Sequence, residues 1–282
     1  MATLEQASLT NFSRNAMVEH VFGVASYTPA TTIYLALLTQ MPDNDDDGSS
    51  ISESGAGGYA RTAITFGAPV AHAGITTNIR ITQNATVTFP ILTSEMTGIV
   101  AWGILDSATI GAGNLLAWGQ LASYTVDAGE APAIESGQIW IEIEDGMSNY
   151  MATAMLNMLF RGVSYTQPTI YIGLATAAIA ETDTGSTVSE PSGGAYARQA
   201  VSGWIADDSN GQGVKNSATV TFAEESAASG GEDIYGVFAA DALTGGNILY
   251  YDPWLGGNAK TLQRHMQVDF DAGNIVWRHE NT

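Results

Sequence analysis

The sequence contains no cysteine, which excludes disulfides, thiolate metal sites and cysteine nucleophiles. Basic residues are scarce too: nine lysines and arginines face 29 aspartates and glutamates, for a formal net charge of −20. Proteins that bind nucleic acid carry basic patches, so we expect neither nucleic acid nor a membrane as a partner. No apolar run approaches the roughly 20 residues of a membrane-spanning helix. Residues 1–6 lack the basic start and apolar core of a secretion signal, so we expect none.

Motifs that carry chemistry are also missing. The four histidines do not fall at metal-ligand spacing. The sequence has no Gly-x-Ser-x-Gly elbow, phosphate loop or dinucleotide fingerprint. With 29 carboxylates, two acids lie close together by chance, so a glycosidase-type pair is not favoured, although the sequence does not exclude one. We therefore expect a protein that is not an enzyme. Its acidity serves solubility or, as the alternative, a partner with a basic surface.

The chain contains one pattern twice. The stretch TNFSRNAMVEHVFGVASYTPATTIYL begins at Thr10, and SNYMATAMLNMLFRGVSYTQPTIYI begins at Ser148. Tyr150 lies 138 positions after its counterpart Phe12, and the spacing falls to 133 toward the end of the repeats. An internal repeat outranks other sequence signals. We therefore expect two domains, residues 1–145 and residues 146–282.

Each repeat is predicted to begin with one helix and to continue in short strands. The first helix runs from about Asn11 to about Gly23, and the apolar segment TIYLALLT then predicts a buried strand. Further alternating segments are separated by turns rich in glycine, proline and aspartate. Such spacing is typical of an antiparallel sandwich or barrel. The predicted fold is mainly β: two tandem antiparallel β-sandwich domains, each preceded by one α-helix.

The second helix differs from the first in composition. Apolar residues are predicted on nearly every side of this helix: Met151, Met155, Leu156, Met158, Leu159 and Phe160. A helix of this kind is buried on more than one side. We therefore expect it to be the most buried helix and the joint between the two halves. The first helix, with Arg14 and Glu19 on its polar side, should remain partly exposed.

A loop rich in aspartate is the sharpest local motif. Residues 43–48 read DNDDDG, which is similar to the opening of an EF-hand calcium loop. The similarity then fails, because position 12 of the loop is Ser54 and no helix is predicted to follow. A solvated acidic loop is the favoured interpretation. Calcium bound through Asp43, Asp45 and Asp47 is the alternative.

Two aromatic segments near the end are candidate interfaces. Tyr250 is predicted to point outward, because Tyr251 beside it should face the core, and Trp254 lies past a proline at a strand end. Exposed aromatics suit a protein interface or a sugar, and an edge aromatic packed on its own domain fits equally well. Ile275 and Trp277 lie on a tail strand that is predicted to lack a counterpart in the first repeat. We expect this strand to add to an open sheet edge of a neighbouring subunit.

Short motifs recur in the two repeats. In the first repeat they are GGYAR, ATVTF, WGILD and GNLLAWG, and in the second they are GGAYAR, ATVTF and GGNIL. These motifs resemble a family of tailed-bacteriophage virion structural proteins, often labelled tail fibre or capsid decoration proteins. Its members resemble one such unit, so a tandem pair departs from the family pattern. The matching pieces are Phe22–Thr39, Gly57–Phe66, Ala85–Pro90, Trp102–Asp106, Gly113–Gly119, Phe160–Thr176, Gly193–Arg198, Ala218–Phe222 and Gly245–Leu249.

The resemblance implies a virion protein without catalytic residues, assembled in the host cytoplasm, whose partners are other virion proteins. The chain is compact and acidic, and it has neither a fibrous repeat nor a coiled coil. The favoured interpretation is therefore a capsid decoration or cement protein that bridges copies of the major capsid protein and stabilises the shell by binding it. A tandem pair within one chain can act as a homodimer does, and a homo-oligomer of the whole chain also fits. The alternative is a tail fibre, tail-tip or baseplate component involved in host adsorption.

Overall fold

A computed structural model describes residues 7–144, 146–192, 195–207, 213–224, 232–253, 260–262 and 266–278. The first repeat consists of β1 (Ser8–Leu9), α1 (Asn11–Phe22), β2 (Ile33–Leu38), β3 (Thr62–Ile64), β4 (Val70–His72), β5 (Ile75–Thr82), β6 (Val87–Thr88), β7 (Met96–Leu105), β8 (Leu115–Val126), β9 (Ala133–Ile134) and β10 (Trp140–Ile143). The second consists of α2 (Asn149–Arg161), β11 (Ile170–Ala175), β12 (Gln199–Val201), β13 (Trp204–Ala206), β14 (Gly213–Asn216), β15 (Val220–Thr221), β16 (Glu232–Ile234), β17 (Gly236–Ala240), β18 (Ile248–Pro253), β19 (Lys260–Leu262), β20 (Asp269–Phe270) and β21 (Val276–Arg278). Neither of the two described helices has the length and apolar character needed to cross a membrane.

Each repeat builds one large and one small antiparallel sheet. The large sheets have the strand orders β1-β8-β7-β2-β3 and β12-β11-β17-β18, and the small sheets have the orders β10-β5-β4 and β13-β14-β21. Pairs of short strands complete the fold: β6 with β9, β15 with β20 and β16 with β19. The prediction of a mainly β, antiparallel fold with one helix before each repeat is confirmed.

The two helices begin and end by the same local signals. The side chains of Thr10 and Ser148 accept a backbone N–H from the first turn of α1 and α2 respectively, which satisfies a donor that has no partner within the helix. The same hydroxyls donate to carbonyls at the start of β8 and β18, so each helix is anchored to its own large sheet. Gly23 and Gly162 end the helices with φ values of 74° and 65°, the left-handed conformation that glycine adopts most easily.

Each helix contacts both repeats. Helix α1 lies against β8 of its own repeat and against β14 of the second, while α2 lies against β18 and against β5 of the first. At the end of α1, Phe22 packs on Trp204 with ring centroids 4.6 Å apart, and at the end of α2, Phe160 packs on Phe66 at 5.5 Å. Trp204 and Phe66 occupy equivalent places beside the middle strands of the small sheets. Such reciprocal contacts characterise a twofold arrangement.

One hydrophobic core therefore runs through both repeats. The same cluster of buried side chains contains Leu35 and Ile81 from the first repeat and Leu174 and Val214 from the second, all without exposed surface. The two repeats pack together around this core. The division into two domains between residues 145 and 146 stays a prediction.

The prediction that α2 forms the joint is correct but incomplete, since α1 does the same. The expectation that α1 remains partly exposed holds for Glu19, which is half-buried, but not for Arg14, which is buried. The two helices are buried to a similar degree, with six buried residues of 12 in α1 and seven of 13 in α2, and Tyr150 and Arg161 near the ends of α2 are exposed. Arg14 keeps only 5% of its surface, and this burial lowers its pKa to about 10. The second repeat also contacts the polar side of α1, where His20 Nε2 lies 2.9 Å from the carbonyl oxygen of Tyr165.

Candidate functional site

The aromatic candidates for an interface lie inside the chain. Tyr250 is 1% exposed, and its ring centroid lies 5.4 Å from that of Phe22 and 5.9 Å from that of Trp277. Its predicted outward direction is wrong, because this face of the large sheet packs against the core that the two repeats share. Tyr251, on the other face, is 8% exposed and belongs to a second, smaller hydrophobic cluster. Trp254 lies outside the described residues.

The tail strand pairs with its own repeat instead of a neighbour's sheet. Strand β21 is hydrogen-bonded to β14, as β10 is to β5 in the first repeat, so the tail does have a counterpart. Ile275 and Trp277 are each 3% exposed. The side-chain oxygen of Asn216 accepts the N–H of Ile275 at 2.9 Å, which seals the tail against β14. The expected addition to a neighbouring subunit is therefore wrong for this strand.

The aspartate loop is shaped by its own hydrogen bonds. The carboxylate of Asp46 accepts the N–H of Asp43 and the hydroxyl of Ser50, both at 2.7 Å. The carboxylate of Asp47 accepts the N–H of Ser49 at 2.7 Å and its hydroxyl at 2.6 Å. These bonds to Ser49 lower the pKa of Asp47. The carboxylates thus stabilise turns, as short acidic side chains commonly do.

The second repeat shows which of these carboxylates the loop needs. Asp183, the counterpart of Asp46, accepts the N–H of Ala180 at 2.8 Å and the hydroxyl of Thr187 at 2.9 Å. Alanine and threonine occupy the places of the other aspartates, at Ala180, Thr182 and Thr184. The loop keeps its shape without them. In the part of the chain that the structure describes, no three histidine, aspartate or glutamate side chains are grouped to hold a metal. Calcium at Asp43, Asp45 and Asp47 stays a prediction.

A buried arginine fixes the acidic loop to the β7–β8 hairpin. Arg61 pairs with the carboxylate of Glu53, with a shortest N–O distance of 2.5 Å, and their side chains are 0% and 4% exposed. Its guanidinium also donates to the carbonyls of Ser107 and Ala112, both at 2.8 Å. Because a guanidinium presents several donors in a planar fork, one side chain can hold these segments together. We call Arg61 and Glu53 the first clamp.

The second repeat contains the same clamp. Arg198 pairs with Glu190 at 2.7 Å and donates to the carbonyls of Ala242 and Gly245 at 2.9 and 2.8 Å. It also donates to the carbonyl of Gly185 at 2.6 Å. Glu190 is more open than its counterpart in the first clamp, with 22% of its side chain exposed. The repeated Tyr-Ala-Arg motif therefore has a structural cause that sequence reasoning missed.

The tyrosine of this motif completes each clamp. The hydroxyl of Tyr59 lies 3.2 Å from the carboxylate of Glu53 and accepts the N–H of Leu37 at 2.9 Å. The hydroxyl of Tyr196 lies 2.8 Å from the carboxylate of Glu190. Burial, aided by these carboxylates, raises the pKa of both tyrosines. Both hydroxyls therefore stay protonated and act as donors.

Glycine is required where the loop meets the hairpin tip. The N–H of Gly48 donates to the carbonyl of Gly113 at 2.8 Å, and the N–H of Gly185 donates to that of Gly246 at 3.0 Å. A Cβ at Gly48 would lie 2.1 Å from the carbonyl oxygen of Ala112. We call residues 43–50 with residues 106–114 the first corner, and residues 180–187 with residues 241–247 the second corner.

The two hairpin tips are closed in the same way. The carboxylate of Asp106 accepts the backbone and side-chain N–H groups of Asn114, both at 2.7 Å. Asp241 and Asn247 repeat both bonds at the same distances. Each tip is thus closed at its base and clamped at its side, which makes it a rigid projection.

Ion pairs staple the small sheets. In the first repeat, the buried carboxylate of Glu142 on β10 accepts from Arg80 and Asn78, both at 2.7 Å, and lies 3.0 Å from His72 Nδ1. Burial pushes the pKa of Glu142 up, but the hydrogen bonds from Asn78, Arg80 and His72 outweigh it and hold the pKa below its ordinary value of 4.5.

In the second repeat the charges have changed strands. The buried carboxylate of Asp207 pairs with Lys215 Nζ at 3.1 Å and with Arg278, whose Nε lies 2.9 Å away. Arg278 on β21 stands where the first repeat has Glu142 on β10. One buried carboxylate and two basic side chains link the strands in both repeats, so this arrangement is structural.

The pattern of the two repeats is also that of a known family. A family model described as podophage GP4 fiber I protein gp80 matches residues 8–142 and, again, residues 146–278. The chain belongs to this family. The two matches confirm both the tandem duplication and the resemblance to phage virion structural proteins. A search of curated proteins gave no match.

Proposed function

We propose that this chain is a non-enzymatic structural component of a phage fibre. The match of the fibre protein family to both repeats is the observation that carries the proposal. It favours the fibre, tail-tip or baseplate alternative over capsid decoration, since the family is described by its place in a fibre. The partners are then other components of the virion.

The architecture suits a protein that acts through contacts and not through chemistry. The buried charges at the clamps and at the small sheets hold backbone segments in place. The shared core joins the two repeats into one rigid unit. A rigid unit loses little conformational freedom on binding, which favours stable assembly.

Counting copies of the protein in purified virions by quantitative mass spectrometry tests the proposal. A fibre component should be present in about a few dozen copies or fewer, as expected of a symmetric oligomer attached to the tail. Particles without it should lose adsorption and keep their resistance to heat. Hundreds of copies, with particles that break at a lower temperature in its absence, would restore the cement interpretation.

A further inference from the structure

Both hairpin tips expose one large aliphatic side chain. Ile110 in the first corner is 51% exposed, and Leu243 in the second corner is 49% exposed. The tips otherwise differ in length and sequence, as residues 106–114 read DSATIGAGN and residues 241–247 read DALTGGN. An exposed aliphatic residue alone needs no explanation. Two at equivalent projections of divergent repeats point to a common use.

Hydrogen bonds fix the hairpin tips that carry these two side chains. Each tip is closed by an Asp–Asn pair and clamped by a buried arginine. A rigid tip that carries an anchor residue loses little entropy when it enters a pocket. Anchors of this kind supply much of the binding energy of protein interfaces.

The loop of each corner is acidic. Asp43, Asp45 and Asp47 in the first corner are exposed, and the second corner carries the half-buried Glu181 and Asp183. The loop that carries the carboxylates is hydrogen-bonded directly to the tip that carries the anchor, from Gly48 N–H to Gly113 in the first corner and from Gly185 N–H to Gly246 in the second. On a chain with a net charge of −20, such a surface repels acidic partners and attracts basic ones.

We propose that the two corners attach this chain to another protein of the particle, each by placing its aliphatic anchor in an apolar pocket rimmed by lysine or arginine. This inference rests on the proposed function, because it takes the partner to be a virion component. Two attachment points on one rigid chain bind with avidity, so that either corner alone holds the chain far more weakly.

Re-addition of purified protein to purified particles tests the inference. The particles come from a phage that lacks the gene, and full-length protein that sediments with them is quantified by mass spectrometry. The Ile110→Ser and Leu243→Ser variants are compared with wild type singly and together. The matched control is the Val70→Ser/Ile205→Ser variant, which removes aliphatic residues that are 59% and 47% exposed on the small sheets.

We expect the tip double variant to lose affinity at least about tenfold, each single variant to lose less, and the control to bind as wild type does. Tip variants that bind like wild type, or a control that loses as much, would overturn the inference. Wild-type protein that is absent from native virions would instead refute the proposed function.

Salt tests the basic rim separately. Wild-type binding should weaken as sodium chloride rises. The Asp43→Ala/Asp45→Thr/Asp47→Thr variant, which copies the second corner, should bind less tightly than wild type at low salt and equally at high salt. Binding that does not respond to salt would contradict a basic partner.

Discussion

The two repeats of this chain can be compared directly, because they share a fold but differ in sequence. They keep the clamps, the closed hairpin tips and the reciprocal packing of the helices, although most other residues have changed. A feature kept in both copies despite this divergence is needed for the fold or for a shared function.

The differences between the repeats are equally informative. The acidic loop loses three of its four aspartates in the second copy without changing its turns. The carboxylate of the small sheet moves from β10 to the segment after β13 and keeps its two basic partners. The ion pairs are kept in both repeats, although the segment that carries the carboxylate has changed.

The clamps should give the largest effects and also separate the repeats. Arg61→Leu leaves Glu53 buried without its partner, which should lower the free energy of unfolding by about 3–5 kcal/mol. Arg198→Leu should cost less, because Glu190 is 22% exposed and water can solvate it. Urea unfolding of the full-length variants measures both losses.

Arg161→Leu, at an exposed residue of α2, is the control and should change the stability by less than about 0.5 kcal/mol. Equal losses for Arg61→Leu and Arg198→Leu would show that the exposure of the glutamate does not set the cost.

The glycines of the corners come next. Gly48→Ala and Gly185→Ala place a Cβ 2.1 and 1.8 Å from a carbonyl oxygen, so the backbone must move, at a cost of up to about 3 kcal/mol each. Gly55→Ala on the same loop meets nothing within 4 Å and should be neutral or slightly stabilising. Melting temperatures of the three variants give the ranking, and a Gly55→Ala variant as unstable as Gly48→Ala would refute the contact as the cause.

Glu142→Gln should be milder, with a loss of about 1–2 kcal/mol at neutral pH, because amide oxygens still accept hydrogen bonds but the charge is gone. Since the folded pKa of Glu142 is lowered, its carboxylate stabilises the fold fully above 4.5, and this contribution disappears as the pH falls through the folded pKa. Urea unfolding across this acidic range should therefore show a smaller decline for the variant than for wild type. Parallel declines would contradict the lowered pKa.

The smallest effect should come from making the first loop like the second. The Asp43→Ala/Asp45→Thr/Asp47→Thr variant should unfold within about 0.5 kcal/mol of wild type, because the loop keeps Asp46. Isothermal titration of both proteins with calcium checks the metal hypothesis directly. Calcium uptake by wild type that the variant lacks would establish the ion site, and a large loss of stability would refute the structural equivalence of the loops.

The repeat, the fold class and the family could be predicted from the sequence, since these depend on local patterns that recur. The position of α2 at the joint could be predicted too, because apolar residues occur on nearly every side of this helix. The part of α1 in the joint could not, because Arg14, Glu19 and His20 look like a solvated face. Only the contacts of α1 with the second repeat, including that of His20 with Tyr165, reveal it.

The site errors also come from long-range structure. Tyr250 and Tyr251 alternate as expected, yet both are buried. Tyr250 faces the main core, where Phe22 of the first repeat packs on it, and Tyr251 packs with Ile179 and Val188 from a loop that is distant in sequence. The role of Arg61 was invisible for a similar reason, as it binds carbonyls 46 and 51 positions away. Backbone acceptors leave no signature in a sequence.

Urea unfolding of the full-length protein, followed by hydrogen exchange in peptides from each repeat, tests the shared core most directly. Phe22 of the first repeat packs against the second repeat, and Phe160 of the second packs against the first. The account therefore predicts one transition with the same midpoint in both repeats. It also predicts that Phe22→Ala lowers the midpoint of both repeats together. Two separate midpoints, or a Phe22→Ala effect confined to the first repeat, would contradict it.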